Sequence, residues 1–148
     1  MVGEIASLIR EVAARFDRAT MDGPTPQPPA GMRLELSCSA PGTASVVMHP
    51  SDDDINVYLG ETTWIELPRR KLDRPQRVQE VRRILDAVVN GRFEETIWRV
   101  GGAIVRSKAA LYTLDQKAFL KPREWRGLAN LIPDPRATRT HIKYEPYS

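Results

Sequence analysis

Ile5, Leu8, Ile9, Val12 and Phe16 recur at three- and four-residue intervals, with Arg10, Glu11, Arg15 and Arg18 between them. That spacing predicts an amphipathic helix over 4–19, stopped by Gly23 and Pro24. Such a stripe is a liability in water, so the helix is expected to cover its own domain. Residues 21–31 carry Pro24, Pro26, Pro28 and Pro29. Proline supplies no backbone donor, so the stretch is expected to be an extended connector.

From Met32 the period falls to two. Met32, Leu34, Leu36 and Cys38 alternate with Arg33, Glu35 and Ser37, as in a strand with one face buried. Pro41-Gly42 turns the chain into a strand over 44–49. Ser51 to Asp54 turns it into 55–59, and Gly60-Glu61-Thr62 into 63–67. Connections this short suit only antiparallel neighbours.

The next helix, expected over 75–90, is marked by Asp73 as cap, Gln76 three residues on and Pro75 in the first turn. Val78, Val81, Ile84, Leu85, Val88 and Val89 form its apolar face, and Gly91 its stop. Gly101-Gly102 then predicts a two-residue hairpin pairing Val100 with Ala103, Trp98 with Val105 and Thr96 with Ser107. Residues 109–114, 117–120 and 141–144 read as further short strands, and 125–131 as a short helical turn. The expected whole is one α+β domain over 1–148. It has an N-terminal helix in 1–20, a connector over 21–31 and an α+β core over 32–148. In that core an antiparallel sheet of about six strands packs on the second helix.

Composition changes the picture little: 148 residues, 41% hydrophobic and 28% charged, describe an ordinary globular domain. Charged residues interrupt the first twenty, so no secretory signal is expected there. No apolar run suits a membrane span, and one cysteine fits a reducing compartment. The expected location is cytoplasmic. Charge is more informative than composition. The net +3 divides into −6 over residues 1–66 and +9 over 67–148, which either neutralise each other in the fold or mark charged surfaces.

Candidate chemistry is sparse. Metal and cofactor sites are not expected, because two histidines and one cysteine supply too few soft ligands. Asp52-Asp53-Asp54, near His49, lacks the spacing of a calcium loop. Cys38 falls on an inward strand position. Glu61 and Glu66 could serve as an acid–base pair, but no nucleophile elbow or phosphate loop accompanies them. Catalysis is not the expected activity.

Two surfaces are candidates for binding. Asp52, Asp53, Asp54, Glu61 and Glu66 surround Tyr58 and Trp64, a composition suited to docking a basic protein. Arg69, Arg70, Lys71, Arg74 and Arg77 cluster at the start of the second helix and, with the basic C-terminal tail, suit nucleic acid as the alternative. The run Ile55-Asn56-Val57-Tyr58-Leu59-Gly60 to Trp64-Ile65-Glu66, a helix, then Gly91-Arg92-Phe93-Glu94-Glu95 is similar to small bacterial proteins. Some of these resemble immunity proteins of polymorphic toxin systems. The resemblance spans about residues 54–107 and carries no functional residue. It implies an interaction protein of immunity or antitoxin type; joined to the acidic surface, that makes a non-catalytic binding module with a basic toxin domain as partner the leading expectation.

Overall fold

The computed structural model describes residues 1–26, 31–112, 117–122 by backbone path, and 134–148. Helix α1 (Val2–Ala13) precedes five strands: β1 (Ala19–Pro26), β2 (Met32–Cys38), β3 (Val46–Pro50), β4 (Asp54–Leu59) and β5 (Thr63–Pro68). Helix α2 (Arg74–Val89) is followed by β6 (Phe93–Val100), β7 (Ala103–Tyr112), β8 (Lys117–Pro122) and β9 (Thr138–Lys143). The short helical turn expected over 125–131 lies outside the described residues.

The fold is α+β and its sheet pairing is antiparallel throughout, in the order β1-β2-β3-β4-β5-β8-β7-β6-β9. Among the described residues the sheet has nine strands, where about six were expected. The largest surprise is β1, which takes up the first prolines of the expected connector. Its register, Ala19 opposite Cys38 to Asp22 opposite Glu35, shifts before Thr25 pairs with Arg33. Proline is tolerated because β1 is an edge, where one row of backbone donors has no partner strand to serve. Gly23 sits at φ +94, where a Cβ would collide with the Arg33 carbonyl oxygen, so the irregular strand needs glycine there. Helix α1 correspondingly ends earlier than its apolar stripe: Phe16 lies past it, its ring 5.8 Å edge-on to Tyr147.

Alternation in β2–β5 works as expected. Leu34, Leu36, Val46, Met48, Ile55, Val57, Leu59 and Leu67 are buried on one face. They form one core with Ile5, Leu8, Ile9 and Val12 of α1 and Val81, Ile84, Leu85 and Val88 of α2. Each such side chain contributes roughly 1.5–3 kcal/mol by leaving water. The expected capping box is present: Asp73 Oδ1 accepts the Gln76 N–H at 2.8 Å, and Gln76 Oε1 accepts the Asp73 N–H at 2.8 Å. The chain end closes the core. Tyr144 stacks on Phe93 at 5.1 Å, and the Tyr147 hydroxyl donates to the Ala44 carbonyl at 2.5 Å.

The β6–β7 hairpin corrects the predicted register. Val100 faces Ala103 and Arg99 faces Ile104, but a bulge then places Trp98 opposite Arg106 and Ile97 opposite Ser107. The extra residue reverses which side chains face inward beyond it. Phe93, Glu95 and Ile97 are buried, while Trp98 turns to the opposite face.

Candidate functional site

Both described helices pack on the core side of the sheet, so among the described residues no helix lies over the outer face of β2–β5. Strand alternation places Glu35 and Arg33 of β2, Val47 and His49 of β3, Asp54, Asn56 and Tyr58 of β4, and Trp64 and Glu66 of β5 on that face. Tyr58 and Trp64 stand directly opposite one another. The Trp64 indole N–H donates to Asn56 Oδ1 at 2.9 Å. Asn56 Nδ2 donates to Asp54 Oδ1 at 3.2 Å, and Ser51 Oγ donates to the same oxygen at 2.9 Å. This chain of bonds fixes the indole plane while leaving the ring half-exposed. Glu35 is paired with Arg33, and Glu66 is exposed and has no ion pair among the described residues.

The seven residues expected to form one acidic–aromatic surface do not all meet. Asp54, Tyr58, Trp64 and Glu66 share the outer face, and Asp52 and Asp53 extend it at the β3–β4 turn, both exposed. Glu61 sits at the opposite end of the β4–β5 hairpin, about 17 Å away along the strands, where it pairs with Arg99 at 2.5 Å. It also stands apart from Glu66, so these two do not form an acid–base pair.

The basic residues divide as well. Arg74 pairs with Glu4 of α1 at 2.7 Å, and Arg77 is 4% exposed on the core side of α2. Arg82 meets Glu11 at 3.2 Å and Arg83 meets Glu80 at 2.7 Å. The helix is therefore largely neutralised by its neighbours. Arg69, Arg70 and Lys71 remain exposed, and they do not stand apart from the acidic residues. The Arg69 N–H donates to the Asp53 carbonyl at 2.7 Å. An open groove of about 530 Å³ is lined by Asp53, Asp54, Glu66, Pro68, Arg69 and Arg70, so the rim of the outer face is of mixed charge.

Glu95 was invisible as a special residue in the sequence, where it is one of two adjacent glutamates in a strand. It is wholly buried. Its Oε1 accepts the Thr62 N–H at 2.9 Å, the Thr62 hydroxyl at 2.8 Å and the Thr63 hydroxyl at 2.6 Å. Its Oε2 accepts the Glu61 N–H at 2.9 Å and the Tyr144 hydroxyl at 2.6 Å. Burial first, and then the bond to Glu95, push the Tyr144 phenol far above its ordinary range, so it remains a donor. The carboxylate thereby latches β6 to the β4–β5 turn and to the C-terminal segment. Sealed from solvent, it acts as a clasp and cannot reach a substrate. The Gly60–Thr63 turn held a faint signal: Thr62 and Thr63 follow Gly60, and the glycine has room for no side chain.

Cys38 lies at the half-buried end of β2, opposite Ala19, without a base beside it among the described residues. His49 contacts the Tyr58 ring at 5.2 Å, and its Nε2 is buried without a hydrogen-bond partner among the described residues. Burial, aided by the Arg33 charge, holds its imidazole below the ordinary value. Among the described residues no three His, Cys, Asp or Glu side chains converge as metal ligands, and no helix is long and apolar enough to cross a membrane. No family model, curated protein or solved structure matches the chain.

Proposed function

We propose that the protein is a non-catalytic, immunity- or antitoxin-like module that occludes a basic partner protein through the outer face of β2–β5. The supporting observation is the cross-strand pair of Tyr58 and Trp64, presented on a sheet face that no described helix covers and with the indole held by Asn56. Aromatic side chains on preordered backbone lose little entropy on binding and make strong anchors. Asp54, Glu66, Asp52 and Asp53 around them favour encounter with a positively charged surface.

The test has two stages. The protein is used to capture its partner from its native host, and the purified partner is then titrated calorimetrically with wild type and variants. Trp64→Ala is expected to weaken binding about 30-fold or more. Asp54→Lys with Glu66→Lys should mainly slow association and remove its salt dependence. Glu61→Lys, at the far end of the hairpin, should change affinity little. Co-expression should also relieve growth inhibition by the partner. A partner that binds the Trp64 variant as tightly as wild type removes this face from the proposal.

A further inference from the structure

A second face is built on the opposite logic. Trp98 lies in the middle strand of β7-β6-β9, and the bulge at Val105 brings Arg106 opposite it on β7, with Arg139 opposite on β9. The next row along the strands is Lys108, Thr96 and His141, and the one after it Ala110, Glu94 and Lys143. Arg106 lies over the indole at 4.7 Å from the ring centroid, Arg139 at 5.8 Å and Lys108 at 6.0 Å. Among the described residues none of these three cations has a carboxylate partner. Glu94, the acid on this face among the described residues, accepts from the Tyr112 hydroxyl at 2.5 Å and lies 3.5 Å from His141 Nε2. The arginines of α2 that face solvent near α1 are by contrast each matched to a glutamate. Cations crowded on one ring repel one another, and an arriving anion relieves that repulsion.

We propose that this face binds single-stranded nucleic acid. Trp98 and the Arg106 guanidinium form the platform on which a base stacks, and Lys108, Arg139 and Lys143 contact the phosphates on either side. The chemistry favours a single strand over a duplex. A flat sheet carrying an aromatic and planar guanidinium groups recognises exposed base faces, which a duplex hides within its stack. The described part of the face carries no helix that could enter a major groove. Two-residue steps along a strand space the cationic rows by roughly 6.7 Å, so the contacts form an extended track, longer than one isolated phosphate requires.

The test is fluorescence anisotropy with end-labelled dodecauridine and dodecathymidine at 50 and 200 mM salt. A blunt duplex and poly-glutamate serve as competitors. Wild type should bind the single strands, with affinity falling steeply between the two salt concentrations. Trp98→Ala should weaken binding about tenfold or more, and Trp98→Phe should keep most of it. Replacing Arg106, Lys108 and Arg139 together by Gln should flatten the logarithmic salt dependence by about two. Trp64→Ala should bind the strand as wild type does, which separates this proposal from the fate of the acidic face. Unchanged melting temperatures of the surface variants exclude misfolding as the cause. Three results overturn the proposal: no binding at 50 mM salt, equal competition by duplex or poly-glutamate, or full affinity in Trp98→Ala.

Discussion

The outer faces of β2–β5 and of β7-β6-β9 are each centred on a tryptophan, and they treat it in opposite ways. Trp64 is held in the plane of its sheet by Asn56 and bordered by Asp54 and Glu66. Trp98 is crowded by Arg106, Lys108 and Arg139. The uneven charge of the sequence therefore survives in part as two surfaces of opposite sign. The rest of that charge cancels where the halves of the chain meet: Glu4 with Arg74, Glu11 with Arg82, Asp86 with Arg15 and Glu61 with Arg99. Exposed pairs of this kind add little stability, typically under about 1 kcal/mol each. Their main effect here is to cancel charge between α1 and α2 and beside the β4–β5 turn, while Arg69, Arg70 and Lys71 stay exposed.

Both faces belong to one sheet, joined through β8, and Glu95 adds a buried tie between its two parts. Glu95→Ala would leave two backbone donors and three hydroxyls facing an empty, buried volume. Each orphaned donor costs about 1–3 kcal/mol before relaxation, so a loss of at least about 3–5 kcal/mol is expected from urea unfolding. A loss below about 1 kcal/mol would show that the latch does not hold the halves together. Gly60→Ala attacks the same point from the other side. At φ +53 its new Cβ would lie 2.5 Å from both Glu95 Oε2 and the Tyr144 hydroxyl oxygen. Left-handed backbone and overpacking together predict a cost of about 2–4 kcal/mol.

Smaller effects sharpen the contrast without breaking the fold. Trp64→Ala and Trp98→Ala each remove one half-exposed indole, so both should leave the unfolding midpoint near wild type. Their binding defects should be crossed: the first loses the protein partner and keeps the oligonucleotide, the second does the reverse. Each loss is expected near 1.5–2 kcal/mol. A single variant that loses both ligands would mean that the two faces act as one surface.

Much of this arrangement was readable from residue order, because much of it is local. The two-residue period of 32–38 and 55–59, the Asp73–Gln76 capping box and the apolar stripe of α2 each depend on neighbours within one turn or one hairpin. They appear as expected. Three features depend on something non-local. The prolines of 21–26 read as a connector until the strand is known to be an edge, and nothing in the segment itself says so. The bulge after Trp98 is an insertion in pairing, silent in a sequence where Val105 looks like an ordinary strand residue. Without it Trp98 pairs with Val105, and the row of Arg106, Trp98 and Arg139 does not appear. Glu95 gathers donors from residues 61, 62, 63 and 144, a convergence that only the closed fold creates. The outer acidic face lay between these cases. Its residues were identified together, but strand length separated Glu61 from the others.

The smallest expected effect concerns pH, and it acts on the acidic face alone. His49 lies beside Tyr58, with Arg33 contributing its charge and Asn56 opposite on β4. Its folded-state pKa lies below the unfolded value of about 6.5, so the unfolded chain takes up the proton first as pH falls. The associated stability is complete above about pH 6.5 and is lost as pH falls from there through the folded value. The ring is only partly removed from water, so screening should hold the effect below about 1 kcal/mol. His49→Phe keeps the ring contact and removes both the titration and the orphaned Nε2. Its melting temperature should match or exceed wild type at pH 7.5, with the gap widening in its favour towards pH 5.5. Carboxylates that titrate below that window are common to both proteins, so they do not affect the difference. A constant gap across the range would show that His49 protonates equally well in the folded and unfolded chains.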